Sequence, residues 1–192
     1  MLPESWFTER GFTQAPPEVV DGRIAFAHPE GRFVDEHGTP LAIAPLRGLE
    51  HKNGHGAFYP KLSAAYGNAK CHLVMIATFE RMPDKTEQCD HINGNPNDCS
   101  LSNLRIVKIA INYRDGGFLK KLRNKGIDPT MFSREFLLRY FDRMAEYKSS
   151  HSLYRYYHLT HDDLLRMLVS PEFEVVDPAS RMDYDLTHHM EC

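Results

Sequence analysis

Long apolar runs are missing from this 192-residue chain, and none approaches the roughly 20 residues that a membrane-crossing helix needs. A helical membrane protein is therefore not expected. The opening stretch MLPESWFTER lacks the basic segment followed by an apolar one that marks a secretory signal, so no leader is expected either. Cysteine is scarce. Cys71, Cys89, Cys99 and Cys192 form no CxxC pair and no disulfide framework, and they read as free thiols in a reducing cytoplasm. A zinc site built on Cys89 and His91 would need a second ligand pair, and none stands out. His51 and His55 have metal spacing only if helical, and Gly54 and Gly56 break any helix there. Internal repeats and low-complexity tracts are also lacking. What remains, 42% hydrophobic and 26% charged residues, describes a soluble globular protein of one ordinary domain or two small ones.

Net charge is small as well, at −3, which on its face argues against a polyanionic partner. The charge is distributed unevenly, however. Residues 101–125 hold Arg105, Lys108, Arg114, Lys120, Lys121, Arg123 and Lys125 against the single acid Asp115. Residues 171–192 hold six acids against Arg181. A basic segment inside an acidic chain makes a local field that can steer a polyanion, although many such runs are only solvated helix faces.

Patterning divides the chain into four stretches. Residues 1–70 are rich in Gly, Pro and His, with short apolar pieces (RIAFA, GRFV, PLAIA) between turn signals, and they predict short strands rather than helices. The stretch CHLVMIATFERM, residues 71–82, is apolar on nearly all sides and predicts a buried helix that stops before Pro83, with His72 as a hydrogen-bonded packing residue. NLRIV has the β-branched character of a strand, and KIAINYRD then predicts a helix ending at Gly116-Gly117. From Phe118 the pattern is helical. Ser133 is a natural N-cap for a helix with Leu137, Phe141 and Met144 on one stripe and Phe136, Tyr140 and Tyr147 beside it. A capping box from Thr160 to Asp163 opens another helix, which is compatible with a helix-turn-helix or with any small bundle; Asp162 and Asp163 count against base reading there. The expected organisation is a β-rich region 1–70, a core 71–116, a helical region 117–170 and an acidic tail 171–192.

The stretch CDHINGNPNDCSLSNLRIVKIAIN, residues 89–112, concentrates the chemistry. Asp90 is a hard oxygen ligand suited to Mg²⁺ or Mn²⁺. His91 points to the opposite face of an extended segment, so the two neighbours can take separate roles. The NGNPND run supplies a turn, and Asn103 comes back near the level of His91. Asn112 falls about one turn into the following helix, facing the hairpin. Taken singly, Asn103 is an ordinary cap and Asn112 a surface amide. Together with Asp90 and His91 they describe a cage around one cation.

These residues resemble those of the HNH endonucleases of the ββα-metal fold, particularly the phage and intron-associated homing and nicking type. The likeness covers roughly residues 71–114 and includes the upstream HLVMIATF; a fainter one reaches GRFVDEHGTPL. It implies an α+β fold with a ββα-metal nuclease core, a β-rich N-terminal part as a candidate DNA-binding module, and a helical C-terminal part as another. It implies that Asp90 and Asn112 bind one divalent cation, that His91 is the general base, and that Asn103 braces the hairpin and orients the imidazole. Asn112 stands where the name-giving pattern has a histidine. An amide oxygen is harder than an imidazole nitrogen, which favours Mg²⁺ or Mn²⁺ over Zn²⁺ or Ni²⁺. Arg105, Lys108, Arg114, Lys120, Lys121 and Arg123 become the expected contacts to double-stranded DNA. The setting implied is the cytoplasm of a bacterial cell, with a phage gene as one origin. Competing readings are a catalytically silent module of the same fold that binds DNA or, through acidic terminal regions, a protein, and a non-specific or restriction-like nuclease. No feature sets the oligomeric state or the target sequence.

Overall fold

The computed structural model describes residues 1–44 and 59–150. The chain divides into two units, Met1–Leu137 and Leu138–Cys192. His51 and His55, the capping box at Thr160, the acidic tail and Cys192 lie outside the described residues.

The N-terminal region opens with a short helix, α1 (Glu4–Thr8), which the sequence pattern did not anticipate. A helix this short shows no periodicity, and tertiary packing stabilises it. Phe7 stacks on Phe26 with ring centroids 3.6 Å apart, and both join Phe12 and Val34 in a small cluster. The expected short strands follow. β1 (Thr13–Gln14), β2 (Phe26–His28) and β3 (Arg32–Val34) make an antiparallel three-stranded sheet, and β4 (Ile43–Ala44) pairs with β5 (Lys61–Leu62).

Helix α2 (Cys71–Phe79) is the expected buried helix and ends before Pro83. Cys71, Val74, Met75 and Ile76 are fully buried. At about 1.5–3 kcal/mol for each large apolar side chain removed from water, α2 is a main source of core stability. Its core is shared. Ala15, Val20, Ala25, Ala27 and Phe33 from the N-terminal region pack in one cluster with α2 and with Cys89 and Leu104 of the following hairpin.

That hairpin is β6 (Glu87–His91) and β7 (Leu104–Lys108), antiparallel, with His91 opposite Leu104 and Asp90 opposite Arg105. Helix α3 (Ile109–Asn124) follows directly, completing a ββα unit inside an α+β fold. The helix does not stop at Gly116-Gly117. Burial of Asp115, Phe118, Leu119 and Leu122 carries it across the pair. The true stop is Gly126, in the left-handed region at φ +75, where Ile127 N–H bonds Leu122 C=O and Gly126 N–H bonds Arg123 C=O. This is the glycine-terminated closure that a helix end requires; Gly116 and Gly117 have no positive φ. Helix α4 (Arg134–Ser150) begins after Ser133, whose Oγ accepts the Phe136 N–H at 3.3 Å, and Leu137, Tyr140, Phe141 and Met144 are buried along it. Among the described residues no helix is long and apolar enough to cross a membrane.

Candidate active site

Alternation along β6 sets the geometry. Cys89 and His91 face α2, and the Cys89 thiol donates to the His72 carbonyl. Gln88 and Asp90 face α3 instead, where Gln88 Oε1 accepts a 2.7 Å bond from Asn112 Nδ2. The strand ends at His91, and a cavity of about 140 Å³ opens just beyond it. Because it lies off the strand end, residues from both faces reach it. Asp90, His91 and Asn112 all line it, together with Tyr59, Gly116 and Arg123. Three of the four residues nominated as a cage thus share one cavity.

Asn103 has the bracing role. It closes a single 3-10 turn before β7 and is 7% exposed. Its Oδ1 accepts the Asn93 N–H at 3.0 Å, and its Nδ2 donates to the Asp98 carbonyl at 2.9 Å. Those bonds act on the loop that follows His91 rather than on the ring itself. Gly94, at φ +67 in the same loop, has a conformation only glycine adopts readily. A Cβ there would also lie 2.5 Å from Arg123 Nη2. The guanidinium of Arg123 donates to the Asn93 and Gly94 carbonyls, which fixes a positive charge at the rim.

His91 sits in a cluster of rings. Tyr59 stacks on it at 5.7 Å and His72 meets it edge-on at 5.1 Å. His91 Nε2 and His72 Nδ1 are both buried without a hydrogen-bond partner among the described residues. His72 therefore packs as expected, but its Nδ1 lacks the hydrogen bond anticipated for it. Burial, with the neighbouring His91 and Lys70 charges adding, drives the His72 imidazole down to about 3. An unsatisfied buried polar atom costs free energy unless something outside the chain completes it.

Charges near the site are largely paired. Arg105 Nε and Nη2 donate to Asp90 Oδ2 at 2.9 and 2.7 Å, and the same Nη2 donates to Asp115 Oδ2 at 2.7 Å. Arg114 Nε bonds Asp115 Oδ1 at 2.7 Å. Burial pushes the Asp90 carboxyl above its ordinary range, while Arg105 pulls it back. Arg105, expected on DNA, is thus a half-buried tie between two carboxylates. Lys108 is engaged by Thr86, Glu87 and Asp84. Lys120 is exposed, and Lys121 is half-buried. Sequence reasoning missed Gln88 and Asp115. Period-two alternation from Asp90 could have found the first, and the isolation of a lone acid among seven bases hints at the second.

The match to known proteins falls on this same unit: residues 72–114 fit the family model described as HNH endonuclease. This segment resembles an HNH domain. No curated protein and no solved structure gives a significant match to the chain. The HNH domain supports nuclease chemistry on DNA, a phosphodiester hydrolysis for which its family generally uses a divalent metal. Among the described residues no group of three or more His, Cys, Asp and Glu gathers as a metal cage. One carboxylate and one amide in a shared cavity instead suit a hard cation such as Mg²⁺, which keeps waters and substrate oxygens as its other ligands. Cys71, Cys89 and Cys99 are free thiols, and each is buried.

Proposed function

We propose that the chain is a metal-dependent DNA endonuclease of the homing or nicking type. His91 is the general base, Asp90 and Asn112 hold a single Mg²⁺ or Mn²⁺, and Asn103 holds the loop. The observation that carries this reading is the convergence of Asp90, His91 and Asn112 on one cavity, with His91 Nε2 left without a partner among the described residues. When bound, the cation stabilises charge on the phosphoryl oxygens and the departing 3′ oxygen.

The chain's own groups do the rest. The His91 imidazole, in the wall of the cavity, takes the proton of the attacking water. Histidine is suited to this because its ordinary titration lies near neutrality. The water oxygen bonds to phosphorus, the P–O3′ bond breaks, the departing O3′ takes a proton from solvent water, and the strand ends as a 5′-phosphate and a 3′-hydroxyl. Gln88 accepts one end of the Asn112 amide, which leaves Asn112 Oδ1 as the ligating atom. Arg105 holds Asp90 by Oδ2 across the hairpin. Lys120 and Arg123, with Lys121 beside them, are the DNA-facing charges, and they position the duplex without reading its sequence. One site cuts one strand per encounter, which favours nicking.

A second reading has one observation behind it. Arg105 already neutralises Asp90, and in a silent module of this fold a guanidinium could stand permanently where a cation would act. Supercoiled plasmid separates the two. The nuclease reading expects relaxation or linearisation in Mg²⁺ or Mn²⁺, abolished by EDTA and by His91→Ala. Full cleavage by His91→Ala would overturn the mechanism. Tight, metal-independent binding to DNA or to a single protein, with no cutting of any DNA, supports the silent module. Equal cutting of unrelated sequences moves the assignment to a non-specific nuclease.

A further inference from the structure

Helix α3 carries two adjacent glycines in its interior, Gly116 and Gly117. Glycine there destabilises a helix relative to alanine, so the pair needs a reason. The common ones fail. Neither residue has a positive φ, and a Cβ built on either meets nothing within 4 Å among the described residues. Gly31 and Gly94 differ on both counts, since each has a positive φ and would press a Cβ into its surroundings. Neither the chain's conformation nor its packing asks for glycine at 116 and 117.

The two positions part company at the cavity. Asn112, Gly116, Leu119 and Arg123 all line it, falling at helical spacing on one stripe of α3. Gly117, about 100° round the helix, is not among its lining residues. Gly116 is thus an exposed gap between the amide of Asn112 and the guanidinium of Arg123. His91 lines the same cavity, and its Nε2 is buried without a partner among the described residues, an independent sign that a ligand from outside the chain belongs beside it. At about 140 Å³ the cavity is well below the roughly 300–1,000 Å³ that encloses a small ligand. A nucleic-acid strand must therefore lie across its mouth, and the wall at the mouth sets how near a phosphate comes to His91.

We infer that Gly116 is a positioning residue for the substrate: its missing side chain lets the sugar–phosphate backbone of the cleaved strand settle against α3 beside Asn112 and His91. This rests on the nuclease reading above. The test compares Gly116→Ala and Gly116→Leu with Gly117→Ala and Gly117→Leu in the full chain, by thermal unfolding, by duplex affinity in EDTA, and by plasmid cleavage in Mn²⁺. Alanine at either position should raise the unfolding temperature, because helix propensity improves. At 116 the gain in stability should come with a loss of kcat/KM, about 10-fold for alanine and about 10²-fold for leucine, as expected for a misplaced reacting group. Both Gly117 variants should stay within about twofold of wild type, as surface changes do. A Gly116→Leu protein that cuts and binds like wild type overturns the inference, and so do equal losses at the two positions. If the wild type binds duplex without cutting it, the nuclease reading fails alone. Affinity then decides for Gly116: a loss of about 10-fold in Gly116→Leu supports the gap, and wild-type affinity removes it. A wild type that neither binds nor cuts overturns both.

Discussion

Two polar regions meet at the end of β6, and they treat hydrogen bonding in opposite ways. In the loop from Asn93 to Asn103, side chains bind the loop's own backbone. Asn93 Oδ1 takes the Asn95 N–H, Asp98 Oδ1 takes the Ser100 N–H and hydroxyl, and Asn103 ties Asn93 to Asp98. The adjacent ring cluster of Tyr59, His72 and His91 is as well buried, yet it leaves two imidazole nitrogens without partners among the described residues. A fold able to satisfy a loop so thoroughly has no general shortage of donors and acceptors. The difference marks the loop as self-contained architecture and the rings as the part of the site that the loop's hydrogen bonds do not reach.

The strongest way to break that contrast is Asn103→Ala. Removing the amide leaves the Asn93 N–H and the Asp98 carbonyl inside a half-buried loop without their partner. Two lost bonds plus that desolvation should cost about 2–4 kcal/mol, read as a lower urea midpoint at unchanged slope. Activity should fall because the loop that follows His91 loosens. If stability falls by less than about 1 kcal/mol while cleavage disappears, Asn103 belongs with the chemistry and the contrast fails.

The ring cluster makes its own demand on pH. His72 titrates at about 3 in the folded chain against 6.5 for an ordinary histidine, because burial excludes its charge and His91 and Lys70 add to the effect. As pH falls below 6.5, the unfolded chain takes up a proton that the folded one refuses until about 3. His72 therefore leaves stability intact above 6.5 and lowers it through that window, by at most about 1.4 kcal/mol per pH unit. Urea unfolding from pH 7 to 4 should show a steeper loss in wild type than in His72→Phe, which keeps the ring's bulk without its proton site. Parallel curves would mean that water reaches His72 and that the cluster is not sealed.

Spacing carried more of the site than charge did. Asp90, His91, Asn103 and Asn112 were legible because a hairpin and one helical turn convert sequence separation into distance almost without freedom. Counting bases carried less, since a lysine or arginine looks the same in sequence whether or not an acid waits beside it. Arg105 found Asp90 across the strand pair, and Arg114 and Arg105 both found Asp115. The length of α3 was misjudged for a related reason. Gly116-Gly117 is a local stop signal, whereas the burial of Phe118, Leu119 and Leu122 that overrides it is a tertiary property. In the N-terminal region the short strands showed in the turn signals, but nothing local announced that Phe33 and Ala27 would share a core with α2.

The smallest expected effect bears on the charges and pairs two single substitutions. Lys108 lies among Thr86, Glu87 and Asp84, so a phosphate would have to displace contacts it already has. Lys120 is exposed on α3, within the same helix as Arg123 at the cavity rim. Each phosphate contact contributes about 0.9 to the slope of log affinity against log salt for duplex DNA. Lys120→Ala should therefore flatten that slope by about one contact's worth. Lys108→Ala should leave both slope and stability near wild type, because an exposed ion pair contributes little. The reverse result, a flatter slope only when Lys108 is removed, would show that DNA draws Lys108 away from its acids. The DNA path would then run along β7 rather than along α3.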